Sequence, residues 1–146
     1  MVNPELHTLH DADGLPVCNV SFDLSADQIA SAAFVVEAVR LERHRHETLS
    51  TDDVLALRQL TGLSDELHGL AEQHAHAGLL LTLARFTALH DALVEWIHAA
   101  DERGWMRDED REHYARIDAL LDPMGQLRAD ALQAVLGAGA EQAPGA

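Results

Sequence analysis

The feature that most constrains the fold is a change in hydrophobic period at Ser25. Apolar and polar side chains alternate along VCNVSFDL, residues 17–24, which is the period of a half-buried strand. After Ser25 the apolar side chains recur every three or four residues almost to the end of the chain, which is the period of amphipathic helices. The sequence therefore predicts a mainly α protein with a short β-strand or hairpin at its N-terminus.

Helix-terminal signals divide the helical part of the chain into four segments. Ser25 with Gln28, and Ser50 with Asp53, each match a capping box, so helices are predicted to begin directly after the two serines. Gly104 is a favourable residue for ending a helix. The predicted helices cover about residues 25–47, 50–78, 79–103 and 107–136.

Four amphipathic helices with short connections make an antiparallel four-helix bundle the most economical fold. The bundle would have five helices if the chain broke at Gly62 or at Pro123, because glycine weakens a helix and proline kinks or restarts one. The predicted organisation has three parts, which are an N-terminal strand or hairpin in residues 1–24, a helical bundle in residues 25–136 and a disordered tail in residues 137–146.

Charge and hydropathy argue against several classes of partner. The formal net charge is −15, which repels nucleic-acid phosphates and anionic lipid surfaces, so neither is expected as a partner. The most hydrophobic stretch, residues 78–100, is interrupted by charged side chains and is not predicted to span a membrane. A single cysteine, Cys18, and an N-terminus without secretory character favour a cytoplasmic protein. This charge would suit a basic protein partner.

The chain carries none of the catalytic motifs that can be recognised by spacing alone. It has no Gly-rich phosphate loop, no Cys-x-x-Cys and no Gly-x-Ser-x-Gly. Residues 57–70 have the outline of a helix-turn-helix, but Asp65 and Glu66 would open its recognition helix and repel DNA. We therefore expect a non-catalytic protein without a cofactor, which acts as a regulator or adaptor through protein–protein interaction. Trp96 and Leu89, at the edge of an apolar helix face, suit such a surface.

Histidines and glutamates suggest an alternative, a bundle that binds a metal or a small ligand and is an enzyme or a binding protein. The His-x-His pairs at residues 44–46 and 74–76 cannot share an ion on a helix, because residues two apart point about 200° apart. Glu-x-x-x-His pairs do place both side chains on one face. One such pair ends the first helix and one begins the fourth, which meet at the same end of an up-down bundle. The residues of this predicted divalent transition-metal site are Glu42, His46, Glu109 and His113.

Two histidines lie on apolar helix faces. His90 is on the apolar stripe of the third helix and His113 on that of the fourth. Both are predicted to be largely buried and neutral, with a hydrogen-bond partner across the core. The alternative is a polar spot in a ligand pocket or a pH-sensitive latch.

The apolar row of the N-terminal strand bears on the oligomeric state of the protein. Its apolar row needs a neighbouring strand, but the two leucines of LHTLH, residues 6–10, lie on opposite faces of the expected hairpin partner. A poorly matched partner leaves an open edge, and open edges pair with other chains. We therefore predict a homodimer in which two copies of this strand pair about a two-fold axis. The apolar row consists of Cys18, Val20, Phe22 and Leu24.

Overall fold

The computed structural model describes residues 5–10, 16–45 and 50–141, and the side chains of residues 19–45 and 50–136. The predicted fold class is confirmed, since four helices form an antiparallel bundle behind an N-terminal hairpin. In chain order the elements are β1 (Glu5–His10), β2 (Pro16–Leu24), α1 (Ala26–His44), α2 (Thr51–Glu72), β3 (Ala77–Thr82), α3 (Leu83–Arg103) and α4 (Asp108–Glu141).

Both predicted capping boxes are present. The backbone N–H of Gln28 donates to Ser25 Oγ at 3.2 Å, and the Ser25 N–H donates to Gln28 Oε1 at 2.9 Å. Ser50 and Asp53 exchange the corresponding bonds at 3.1 and 3.0 Å. Each box provides a hydrogen-bond acceptor for two backbone N–H groups that have no partner within the helix. These local sequence signals are therefore sufficient to place the starts of α1 and α2.

Residues 77–82 form a strand, where the sequence predicted the end of one helix and the start of the next. Leu79 and Leu81 are buried and their neighbours in the strand are more exposed, so the burial alternates with period two. Short apolar runs fit both a buried helix and a strand, and here hydrogen bonding to β2 decides. A Cβ at Gly78 would lie 2.9 Å from Asp23 Oδ1, so a larger residue there would require the Asp23 side chain to shift.

The sheet is antiparallel with the order β1-β2-β3, so β2 is its central strand. Ser21, for example, lies opposite Glu5 on one side and Leu80 on the other. The predicted self-pairing of β2 in a dimer is therefore wrong, because both of its edges are occupied within the chain. Val20, Phe22 and Leu24 are at most 1 % exposed and pack in the core, while the Cys18 side chain lies outside the described residues.

Neither of the two candidate breaks interrupts a helix. α2 continues through Gly62 and α4 continues through Pro123. In each case the buried stripe extends on both sides of the candidate residue, so tertiary packing maintains a helix that propensity alone would weaken. α4 also extends to Glu141, so the first five residues of the predicted tail are helical, and residues 142–146 lie outside the described part.

The helices pack on one face of the sheet to form one continuous core. Phe22 of β2 meets Phe86 of α3 edge-to-face, with ring centroids 5.3 Å apart, and both side chains are fully buried. Aromatic pairs in this geometry stabilise a core beyond the area that they bury. None of the described helices is long and apolar enough to cross a membrane.

α4 is displaced along the bundle relative to α1. His113 and Arg116, near the start of α4, contact Ser31 and Asp27 in the N-terminal half of α1. Beyond this point α4 continues against β2 and β1. The displacement determines which residues of α1 and α4 can meet.

Candidate functional site

The displacement of α4 separates two of the predicted metal ligands. His113 Nδ1 lies 2.8 Å from Ser31 Oγ, so its ring is fixed beside the first half of α1. Glu42 lies about three turns further along α1, roughly 16 Å along the helix axis. Ligands of one ion must lie within a few ångströms of each other, so His113 and Glu42 do not belong to a common site.

The other predicted ligands are also not brought together in the described part of the protein. Glu42 accepts a 3.3 Å bond from Arg45 of its own helix, and both side chains are exposed. Glu109 is exposed and His46 lies outside the described residues. Among the described side chains, those of residues 19–45 and 50–136, no three from His, Cys, Asp or Glu are arranged to hold a metal ion. The prediction assumed that α1 and α4 are aligned end to end, and their displacement makes it wrong for this set.

His113 instead belongs to a cluster of rings from three helices, which we call the aromatic cluster. Its ring stacks on Phe34 with centroids 4.4 Å apart and 11° between planes. Trp96 meets Phe34 edge-to-face at 6.1 Å and lies 6.3 Å from Tyr114. His113 is half-buried rather than largely buried, and its hydrogen-bond partner, Ser31, comes from another helix as predicted.

Next to the aromatic cluster, α1 and α3 enclose an open groove of about 630 Å³, which we call the α1/α3 groove. Small apolar side chains from both helices and the side chain of Trp96 contribute to its lining. A salt bridge of 3.2 Å between Arg43 and Glu95 connects the two helices beside it. The lining residues are Ala38, Val39, Glu42, Glu95, Trp96, Ala99, Glu102 and Arg103.

The electrostatics of the groove favour positive charge. Its lining contains three carboxylates and one guanidinium, and two of the carboxylates, Glu42 and Glu95, already form salt bridges with Arg45 and Arg43, so Glu102 is the carboxylate that most directly favours a cation. The groove also lies at the C-terminal halves of α1 and α3, which end at His44 and Arg103. The C-terminal end of a helix carries a partial negative charge. A cationic group in the groove would therefore be attracted both by side chains and by backbone.

A second polar arrangement connects α1 to α2, and sequence reasoning did not find it. Arg40 donates two hydrogen bonds to the Glu37 carboxylate, at 2.6 and 2.9 Å, and the buried Ser64 hydroxyl donates a third at 2.7 Å. The bonds from Arg40 and then from Ser64 lower the pKa of Glu37 to about 2. Charge-assisted bonds of this kind hold two helices in register.

The same arrangement contains a histidine but lacks the geometry of a catalytic serine. His68 Nδ1 lies 2.7 Å from the backbone oxygen of Ser64, which can only accept, so Nδ1 carries the proton and donates it. His68 therefore cannot accept a hydrogen bond from Ser64 at that atom, and the Ser64 hydroxyl donates its hydrogen bond to Glu37. An activated serine requires an exposed hydroxyl and a basic imidazole nitrogen facing it.

His90 is half-buried between α3 and α4, which is less buried than predicted. Arg128 can only donate a hydrogen bond, so the contact of its Nη1 with His90 Nδ1 at 3.2 Å makes Nδ1 an acceptor. The proton then lies on Nε2, which donates to the Leu121 carbonyl at 3.3 Å. Burial lowers the pKa of His90, and the nearby Arg128 charge lowers it further.

The two residues predicted to suit a partner surface differ in their exposure. Trp96 lines the groove and is half-buried, whereas Leu89 is only 1 % exposed and belongs to the core. The groove depends on the spacing of α1 and α3, so nothing in the sequence predicted that its residues lie together. In comparisons with known proteins, no protein-family model, no curated protein and no solved structure matches the chain.

Proposed function

We propose that this protein acts without catalysis, by binding a partner protein in the α1/α3 groove. The groove is the observation that supports this proposal most directly. Its lining combines small apolar side chains, a tryptophan and charged side chains, a composition that suits a protein-binding surface. Tryptophan is also among the residue types that contribute most to binding at such surfaces.

The partner that best fits the groove is an amphipathic helix with basic side chains beside its apolar stripe. Ala38 and Ala99 are small, so the backbone of an added helix can approach α1 and α3 closely. Its apolar residues would pack on Val39 and Trp96, and its basic residues would meet the carboxylates on the rims. In this role the protein is an acidic adaptor or regulator.

The polar groups elsewhere in the described structure support the same proposal, because they have structural partners. Glu37, Ser64 and Arg40 bond to one another, and His90 is held between Leu121 and Arg128. No reacting group needs to be assigned to any of them. The groove is lined by apolar and charged side chains of both helices.

A fluorescence titration tests the proposal. The chain has two tryptophans, so the Trp105→Phe variant makes Trp96 the only reporter, and it lies in the groove wall. We expect a saturable change in its emission on addition of an amphipathic helical peptide of lysine and leucine, and none with the same peptide carrying glutamate for lysine. Added salt should weaken the binding, because opposite charges attract each other less when screened.

Matched carboxylate variants locate the binding surface. In the Trp105→Phe background, Glu102→Gln should weaken peptide binding about two- to fivefold, the usual effect of one partly exposed ion pair. Glu72→Gln removes an exposed carboxylate from the end of α2 and is the control, with no change expected. Equal effects of the two substitutions, or no saturable signal from Trp96, would overturn the proposal.

A further inference from the structure

The outer edge of β3 pairs with no strand in the part of the chain that the structure describes. The sheet order is β1-β2-β3, so β2 occupies one side of β3 and leaves the other side open. An antiparallel strand directs half of its N–H and C=O groups to each side. The six residues Ala77–Thr82 thus present a row of backbone donors and acceptors to a further strand.

The sequence of this edge contains neither of two residue types that commonly prevent edge pairing. Its sequence, AGLLLT, contains no charge and no proline, the residues that commonly block an edge strand. Leu80, on the outer face of the sheet beside Ser21, is 61 % exposed. β1, at the opposite edge of the sheet, carries Glu5 and two histidines in its sequence. The two edges differ, and β3 is the one suited to pairing.

We propose that a second copy of the chain occupies this edge, with β3 paired antiparallel to β3 about a two-fold axis at Leu80. Such an axis presents each strand to an antiparallel copy of itself. Centred on Leu80, it places Leu79 opposite Leu81 of the partner subunit, and both of these leucines face the helices. Both helical layers then lie on one side of a six-stranded sheet, and the two Leu80 side chains cover each other on the other side.

The symmetric placement of Leu79 and Leu81 about Leu80 favours a second copy over a different protein, because the same residues complete both strands of the pair. Each chain carries a net charge of −15, so two copies repel each other, and an edge without carboxylates adds no local repulsion. Added salt screens this repulsion, so we expect it to tighten the dimer. A basic helix in the α1/α3 groove would respond to salt in the opposite way, and the dimer proposal does not depend on that groove.

Sedimentation velocity of the full chain, from low micromolar to about 100 µM, tests the pairing. The parent should form a dimer that is tighter at high salt. Leu80→Lys should raise the dissociation constant about tenfold or more, because it places two like charges together at the axis. Leu136→Lys is the control, since Leu136 is 64 % exposed on α4 and the same change there should leave the dimer intact.

Hydrogen exchange identifies the strand directly. Amides on the outer edge of β3 should be protected at high concentration in the parent and exchange faster on dilution, whereas in Leu80→Lys they should exchange fast at both concentrations. A parent that is monomeric at about 100 µM would overturn the proposal. So would a Leu80→Lys variant that dimerises like the parent, or a loss of the dimer in Leu136→Lys. Dimerisation without protection of β3 would mean that another surface makes the contact, or that another segment covers this edge.

Discussion

At the scale of single residues, burial and the neighbouring Arg128 guanidinium determine how the His90 imidazole responds to acid. The neutral ring is satisfied on both nitrogens, by Arg128 at Nδ1 and by the Leu121 carbonyl at Nε2. Protonation would place a second N–H against the Arg128 donor and charge a half-buried ring. Both effects explain why the pKa of His90 is lowered in the folded protein.

The lowered pKa predicts an acid-sensitive contribution to stability. The unfolded chain takes up a proton at His90 before the folded chain does, so the contribution is fully present above the unfolded pKa of about 6.5. It is lost as the pH falls from there toward the folded value. The melting temperature of His90→Leu should therefore decrease less than that of the parent between about pH 7.5 and pH 5.

Melting curves of parent and variant at several pH values measure this difference. His98→Leu removes an exposed histidine from the same helix and controls for the loss of one imidazole. Equal decreases in the melting temperatures of the parent and His90→Leu across the whole pH range would contradict a neutral His90.

Sequence reasoning at this scale located faces but not partners. The helical stripes predicted that His90 and His113 are largely buried, whereas both are half-buried. Ser31, which receives the His113 ring, lies on another helix, and its position depends on the displacement of α4. The same displacement separates Glu42 from His113. A metal site predicted from residue spacing alone therefore does not include both of them.

At the scale of elements, two glycines in or next to helices should respond to alanine substitution in opposite directions. Gly69 lies inside α2, and a Cβ there would meet nothing within 4 Å. Gly104 ends α3 in the left-handed conformation with φ of 72°. Gly69→Ala should stabilise the protein by about 0.5–1 kcal/mol, because alanine loses less backbone entropy in a helix. Gly104→Ala should destabilise it by about 1 kcal/mol, because a Cβ is strained at positive φ.

Urea denaturation of the two variants beside the parent measures both effects, and each variant is the control for the other. Changes of the same sign would show that one of these two local environments is misassigned.

The elements that the sequence predicted well are those whose ends carry their own signals. Ser25 and Ser50 start helices through bonds within four residues, so no distant contact is needed. β3 carries no such signal, because its apolar run has the length of a strand and the composition of a buried helix. β2 supplies the hydrogen bonds that make it a strand, and β2 lies more than fifty residues earlier in the chain.

At the scale of the whole molecule, the sheet and the bundle share one core, so we expect them to unfold together. Phe22 of β2 and Phe86 of α3 are both fully buried and in contact. Phe22→Ala should cost about 3–5 kcal/mol, the usual range for removing a buried phenylalanine. Both tryptophans belong to the helical part of the chain, so their fluorescence reports on the bundle.

The measurement is chemical unfolding followed both by far-ultraviolet circular dichroism and by tryptophan fluorescence. The two curves should coincide in the parent and shift together in Phe22→Ala. Ser21→Ala, on the opposite face of the same strand, should shift neither by more than about 0.5 kcal/mol. If Phe22→Ala left the fluorescence transition unchanged, residues 1–24 would be a separable segment.

The sequence by itself determined the class of the fold, because hydrophobic period and helix caps act over a few residues. It thereby defined the strand at residues 17–24, the starts of α1 and α2 and the end of α3 at Gly104. Tertiary structure decided the sheet order, the displacement of α4 and the α1/α3 groove. Each of these depends on which distant surfaces bury the most apolar area together, and a local pattern does not contain that information. The sequence predicted an open edge on β2. In the structure β3 pairs with that edge, so β3 is now the strand at the edge of the sheet.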